Sequence, residues 1–221
     1  MPGESRRPFR HIVFDLDGTL VDTQEDLAAA TNFVLERFGL PRVSMDVLRE
    51  YVGHGARALL QRALGPDHAG GVEEGVGVFL EYYGAHLLDR TRPYPGIEAL
   101  LERLRRHGRG LSALTNKPEG LSRRILEGLG LAGHFGGLVG GDTLAVRKPE
   151  AAGLQHLCRL AGASPEETLL VGDSVVDVQT GRAGGVAVCG VSWGFGLKGL
   201  DEMAPDFLVR EPEEIFRIAV G

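Results

Sequence analysis

Cysteine is nearly absent: Cys158 and Cys189 are the only two in 221 residues. Without CxxC or zinc-ligand spacing they make neither a disulfide framework nor a structural zinc site. They read as reduced, buried thiols, which suits a cytoplasmic protein. Basic charge is also in short supply, with 24 Lys and Arg against 30 Asp and Glu, a formal charge of −6. General nucleic-acid and anionic-membrane binding need a basic field and are excluded as main functions. A local basic pocket for one small anion is not. No run approaches the roughly 18 apolar residues of a membrane-spanning helix, and the opening MPGESRRPFR has no apolar stretch after its arginines, unlike a secretory signal. Internal repeats, low-complexity tracts and a GxxxxGKS/T phosphate loop are missing too. What the chain has in excess is glycine, 33 residues, about twice the usual share. Tight turns and close backbone approaches follow. A chain of this length buries a large core without covalent staples, as one large domain or two small ones.

Short apolar runs at 11–15, 111–115, 138–139, 168–172, 186–191 and 207–209 each lead into a helical pattern. Ile97, Leu100, Leu101 and Leu104 repeat with helical period, as do Leu121, Ile125, Leu126 and Leu129, and more loosely Leu154, Leu157 and Leu160. Strands alternating with helices predict an α/β fold with a parallel sheet covered on both faces. From about Val21 to Thr91 this rhythm stops and the pattern is helical throughout. It opens at Asp22-Thr23 with Asp26 three residues on, a capping pattern, and breaks at Gly39-Leu-Pro41, Gly65-Pro66 and Gly70-Gly71. Arg92-Pro-Tyr-Pro-Gly96 cannot continue a helix. The reading is a core of residues 1–20 and 92–221, interrupted after its first strand by a helical insertion of residues 21–91.

Four polar sites end strands of the core. Asp15-Leu-Asp17-Gly18-Thr19 puts two carboxylates at i and i+2, on one face of a strand. Such close like charges repel unless a cation or proton settles them; the plainer reading is a solvated acidic turn. Thr115 and Asn116 end the next strand and offer a hydroxyl and an amide, or else cap the helix near Pro118. Lys148 precedes Pro149 in a loop, a compact charge suited to phosphate, though a lone lysine is more often a surface residue. Gly172-Asp173-Ser174-Val-Val-Asp177 ends an apolar strand with two acids one helical turn apart: a helix cap, or one wall of a cation site. A parallel sheet brings all four to one edge, and an oxygen-rich acid set suits Mg²⁺.

On these residues the sequence resembles the haloacid dehalogenase superfamily, whose four motifs are matched by Asp15-Leu-Asp-Gly-Thr19, Thr115, Lys148 and Gly172-Asp-Ser-Val-Val-Asp177. The likeness runs from about His11 to Ile218. More narrowly the chain resembles the phosphoglycolate phosphatases, through Asp15 to Asp22, Val52-Gly-His-Gly-Ala-Arg57, Thr91 to Gly96, Leu114-Thr-Asn-Lys-Pro118 and Gly141-Asp-Thr-Leu144. The resemblance implies a Rossmann-like core with a helical C1-type cap. It implies Asp15 as nucleophile and Asp17 as general acid and base. Mg²⁺ is implied on Asp15, the Asp17 carbonyl and Asp173, with Thr115, Asn116 and Lys148 holding the phosphoryl oxygens. Gly18, Ser174 and Asp177 are supporting residues, Asp177 by orienting Lys148 or a metal-bound water. Ala151 stands where the family often has a second proline, a change in loop stiffness and not in charge.

In the cap, His54 and Arg57 are candidates for the substrate's carboxylate, set against solvated residues at a helix start. Trp193 fits packing better than a wall of the site. The expected partner is a small phosphorylated metabolite, 2-phosphoglycolate foremost, and the expected state a monomer or homodimer. Sugar-phosphate phosphatases, pyrophosphatases and phosphomutases share the pattern. A phospho-accepting receiver domain uses similar residues for signalling, but it lacks the helical insertion and a general acid such as Asp17.

Overall fold

The computed structural model describes residues 8–196 and 199–221; the part of the secretory-signal reading that rests on residues 1–7 lies outside them. Six strands form one parallel sheet. They are β1 (His11–Phe14), β4 (Gly110–Leu114), β5 (Gly137–Val139), β6 (Thr168–Gly172), β7 (Ala187–Val191) and β8 (Phe207–Val209), in the order β5-β4-β1-β6-β7-β8. Each lies within a residue of a run expected from the sequence. β1 is central and buried on both faces, and its near-continuous apolar character is that of a strand covered by helices above and below. From β1 the chain winds outward through β4 to β5 on one side, then crosses back to β6 and winds outward through β7 to β8 on the other, so its direction of winding reverses beside β1. Such a switch point opens a crevice at the carboxyl ends of the strands.

The covering helices are α5 (Ile97–Arg106), α6 (Glu119–Gly128), α7 (Ala152–Ala161), α8 (Val175–Gly184), α9 (Leu200–Met203) and α10 (Pro212–Val220). Ile97, Leu100, Leu101 and Leu104 are all buried in α5; each such side chain contributes about 1.5–3 kcal/mol as an upper bound. The looser stripe on α7 is narrower than the sequence suggested: Leu154 and Leu157 are fully buried, but Leu160 is 59% exposed.

Four helices follow β1: α1 (Gln24–Arg37), α2 (Met45–Tyr51), α3 (Ala56–Leu64) and α4 (Val72–Ala85). Both ends of this segment are tied by an unexpected two-stranded ribbon, β2 (Val21–Asp22) with β3 (Arg92–Pro93), running antiparallel. The acids at the start of α1 also act differently from the expected capping box. Thr23 makes no cap hydrogen bond; its hydroxyl donates to Asp17 at 2.7 Å, while Asp22 accepts from Gln24 N. Asp26, buried, accepts from Arg90 N, Thr91 N and the Thr91 hydroxyl at 2.7–3.1 Å. It ties the start of the helical segment to its end. Among the described residues no helix is long and apolar enough to cross a membrane.

Candidate active site

Asp15 follows β1 directly, and its amide donates to Val171 O of β6 at 2.9 Å, which fixes the carboxylate at the sheet's carboxyl edge. Burial is the largest influence on Asp15 and raises its pKa well above the usual carboxylate range. Lys148 opposes this shift, and the neighbouring Asp177 and Asp173 add to it. Lys148 Nζ lies 2.7 Å from Asp15 Oδ1 and 2.6 Å from Asp177 Oδ1. Burial alone would lower the lysine's pKa, but the two carboxylates more than offset it and hold the ammonium charged. Asp177 also accepts from Ser174 N and Oγ through its other oxygen, in the capping box that starts α8. The cap and the lysine clamp are therefore one structure.

Asp173 is buried, and desolvation followed by the charge of Asp177 pushes its pKa up to about 7. Its Oδ2 accepts from Phe195 N at 2.6 Å and Gly196 N at 3.1 Å, which leaves Oδ1 without a hydrogen-bond donor among the described residues. Oxygens of Asp15, Asp173 and Asp177 lie within 4.8 Å of one another. Three buried acids around one ammonium are short of positive charge, and an all-oxygen donor set fits a hard cation. With both oxygens of Asp177 occupied, Asp15 and Asp173 are the carboxylates left to hold an ion. Gly18 explains how the backbone comes so near: its φ is +85°, and a Cβ there would sit 2.4 Å from Asp173 Oδ2.

Thr115 is buried at the end of β4. Its oxygen accepts from Lys117 N at 3.2 Å, so its proton is available to a ligand. Neither Thr115 nor Asn116 caps α6; Asp142 accepts from Glu119 N at 2.7 Å instead. The Asn116 amide, expected on a phosphoryl oxygen, donates to Gly53 O at 2.9 Å and Lys148 O at 3.0 Å. Its side chain braces the loop of Lys148 against the turn before α3.

These residues floor a cavity of about 60 Å³, roofed by apolar side chains of the helical segment, Leu27, Val52, Leu59, Phe79 and Leu80 among them. The structure does not bring His54 and Arg57 into it. Arg57 is exposed and paired with Glu73, and nothing aims it at the site. His54 lines a separate cleft with Arg62 and Arg147; partial burial and then these two cations hold its pKa below the usual histidine range. Trp193 lies outside the cavity, donating to Thr19 O and packing beside Tyr94.

Sequence reasoning missed two residues here. Lys117 Nζ is 2.5 Å from Asp17 Oδ1 and 2.8 Å from the hydroxyl of Tyr83 on α4. Lys117 stands between Thr115 and Pro118 in a motif already singled out, but one lysine beside another polar residue carries no signal of burial. Tyr83 has no signal at all, being one aromatic in an apolar helix.

The chain matches the haloacid dehalogenase-like hydrolases over residues 12–191, and it belongs to that family as a phosphatase. It is 37% identical over 209 residues to a phosphoglycolate phosphatase of Aquifex aeolicus, covering 95% of this chain and 96% of that one. A phosphoglycolate phosphatase of Chromobacterium violaceum is 40% identical over 210 residues, 93% of this chain and 94% of the relative. Among solved structures, a predicted phosphoglycolate phosphatase from Haemophilus somnus superposes with a TM-score of 0.88 at 33% identity, covering 95% and 97% of the two chains.

Proposed function

We propose that this chain is a Mg²⁺-dependent 2-phosphoglycolate phosphatase working through an aspartyl-phosphate on Asp15. The observation that carries the reading is Lys148 Nζ held between Asp15 and Asp177 beside Asp173, on the floor of a cavity roofed by the helical segment. Asp15 attacks phosphorus in line, and the bond from phosphorus to the leaving oxygen breaks. Asp17, two residues on and held by Thr23 and Lys117, gives that oxygen a proton and then takes one from the water that hydrolyses the intermediate. Thr115 and Lys148 donate to the phosphoryl oxygens. Asp15, Asp173 and the Asp17 carbonyl are the groups that would hold Mg²⁺, which when bound screens the charge between carboxylate and phosphate. Residues 21–91 act as a cap over a core of 1–20 and 92–221, excluding water from the cavity. The names of the relatives favour 2-phosphoglycolate over a sugar phosphate. Every site residue comes from one chain, so a monomer or a homodimer serves equally. The buried free thiols Cys158 and Cys189 suit the cytoplasm.

The test is phosphate release, with Mg²⁺ and with chelator, from 2-phosphoglycolate, hexose phosphates, nucleoside monophosphates and pyrophosphate. We expect 2-phosphoglycolate to be preferred, chelation to abolish turnover, and Asp15→Asn to lower it by several orders of magnitude. Full activity in chelator, or Asp15→Asn within tenfold of the wild type, would overturn the mechanism. Preference for another member of the panel would overturn the substrate.

A further inference from the structure

The cavity holds two buried ammonium groups, and only one is accounted for by phosphate chemistry. Lys148 sits against the nucleophile Asp15. Lys117 sits against the general acid Asp17 at 2.5 Å, with the Tyr83 hydroxyl at 2.8 Å as its second partner. Both lysines are more than nine-tenths buried and line the cavity. An ammonium has three N–H donors, and the described structure gives Lys117 two acceptors, so one donor remains. Burying a cation with a donor unspent costs free energy unless something meets it there.

We propose that Lys117 is the residue that selects the substrate, by donating to an anionic substituent next to the leaving oxygen, an α-carboxylate. This deepens the phosphatase reading and rests on it. Asp17 must touch the leaving oxygen to protonate it. In a phosphorylated 2-hydroxy acid the carboxylate carbon is two bonds from that oxygen, and Lys117 is the cation that adjoins Asp17. Tyr83, from α4 of the helical segment, fixes the lysine from above. The remaining roof residues named above are apolar and offer no competing cation, and Arg57 faces Glu73 outside the cavity. A neutral alkyl leaving group leaves the third donor unmet; a carboxylate fills it.

Steady-state kcat/KM of the Mg²⁺-loaded enzyme on 2-phosphoglycolate and on ethyl phosphate tests this. The two have similarly poor leaving groups, and only the first carries the carboxylate. Wild type should favour 2-phosphoglycolate, and Lys117→Met should cut that ratio roughly 30- to 150-fold, the worth of a charge-assisted hydrogen bond from a buried donor. Tyr83→Phe, which keeps the lysine but frees it, should cut the ratio only a few-fold. An unchanged ratio with both rates reduced equally would mean that Lys117 merely positions Asp17, and would overturn the proposal. Calorimetry on wild type gives an answer even if Lys117→Met does not fold. 3-Phosphonopropionate should bind at least tenfold more tightly than propylphosphonate, and equal binding overturns the proposal. Absence of phosphate release from both substrates in wild type would instead strike the phosphatase reading itself.

Discussion

Gly18 sits where three requirements meet. Its φ of +85° lies in the left-handed region, which favours glycine. Its amide donates to Val21 O at 3.0 Å, closing the turn after Asp17. It also leaves open the space that Asp173 fills. Gly18→Ala adds about 1 kcal/mol of backbone strain and must also push the Asp173 carboxylate aside. The expected outcome is a modest loss of stability, with a tenfold or greater rise in the Mg²⁺ concentration needed for half-maximal activity. A metal titration of activity beside a urea unfolding curve checks it. A metal requirement like that of wild type would mean that Asp173 adjusts freely. This residue was legible in the sequence as a supporting glycine after two acids; its close approach to Asp173 was not. That contact joins positions more than 150 residues apart, and no local pattern records it.

At the level of elements, the strands were readable because a fully buried parallel strand must be a short apolar run, and each run here ends in a turn residue or an acid. The helical insertion was readable from its period and its Gly and Pro breaks. The ribbon of β2 and β3 was not, because two residues on each side are too short to show alternation. Thr23 and Asp26 were misread for a related reason. Their spacing satisfies a local capping rule, but the tertiary partners Asp17, Arg90 and Thr91 outbid the helix end. Asp26→Ala provides the check. Its carboxylate serves two backbone amides and one hydroxyl, all at the junction between the helical segment and β3. Its removal leaves those donors unsatisfied in a buried place, which costs about 2–4 kcal/mol. Denaturant midpoints of wild type and variant measure this, and a loss below about 0.5 kcal/mol would show that water replaces the carboxylate.

Across the whole molecule, chemistry and stability occupy opposite ends of the sheet. The acids, Lys117 and Lys148 gather at the carboxyl ends of β1, β4 and β6. At the other end of β1, His11 is 1% exposed, with Nε2 2.9 Å from Ser112 Oγ on β4. Burial lowers its pKa from the usual 6.5 to about 4, so the folded protein keeps the ring neutral where the unfolded chain would take up a proton. The unfolded state therefore binds more protons between about pH 6.5 and 4, and stability falls as pH is lowered through that window. Full loss is reached only below about 4 and is on the order of 3 kcal/mol from this one ring. His11→Gln keeps an amide that can meet Ser112 and cannot titrate. We expect it to be no more stable than wild type near neutral pH and to lose distinctly less on acidification, with kcat at neutral pH little changed because the site is a strand's length away. Urea unfolding of both proteins at about pH 7 and about pH 4.5 decides the matter. Equal losses in the two would assign the acid sensitivity to the carboxylates at the other end of the sheet, and the separation of the two ends would fail.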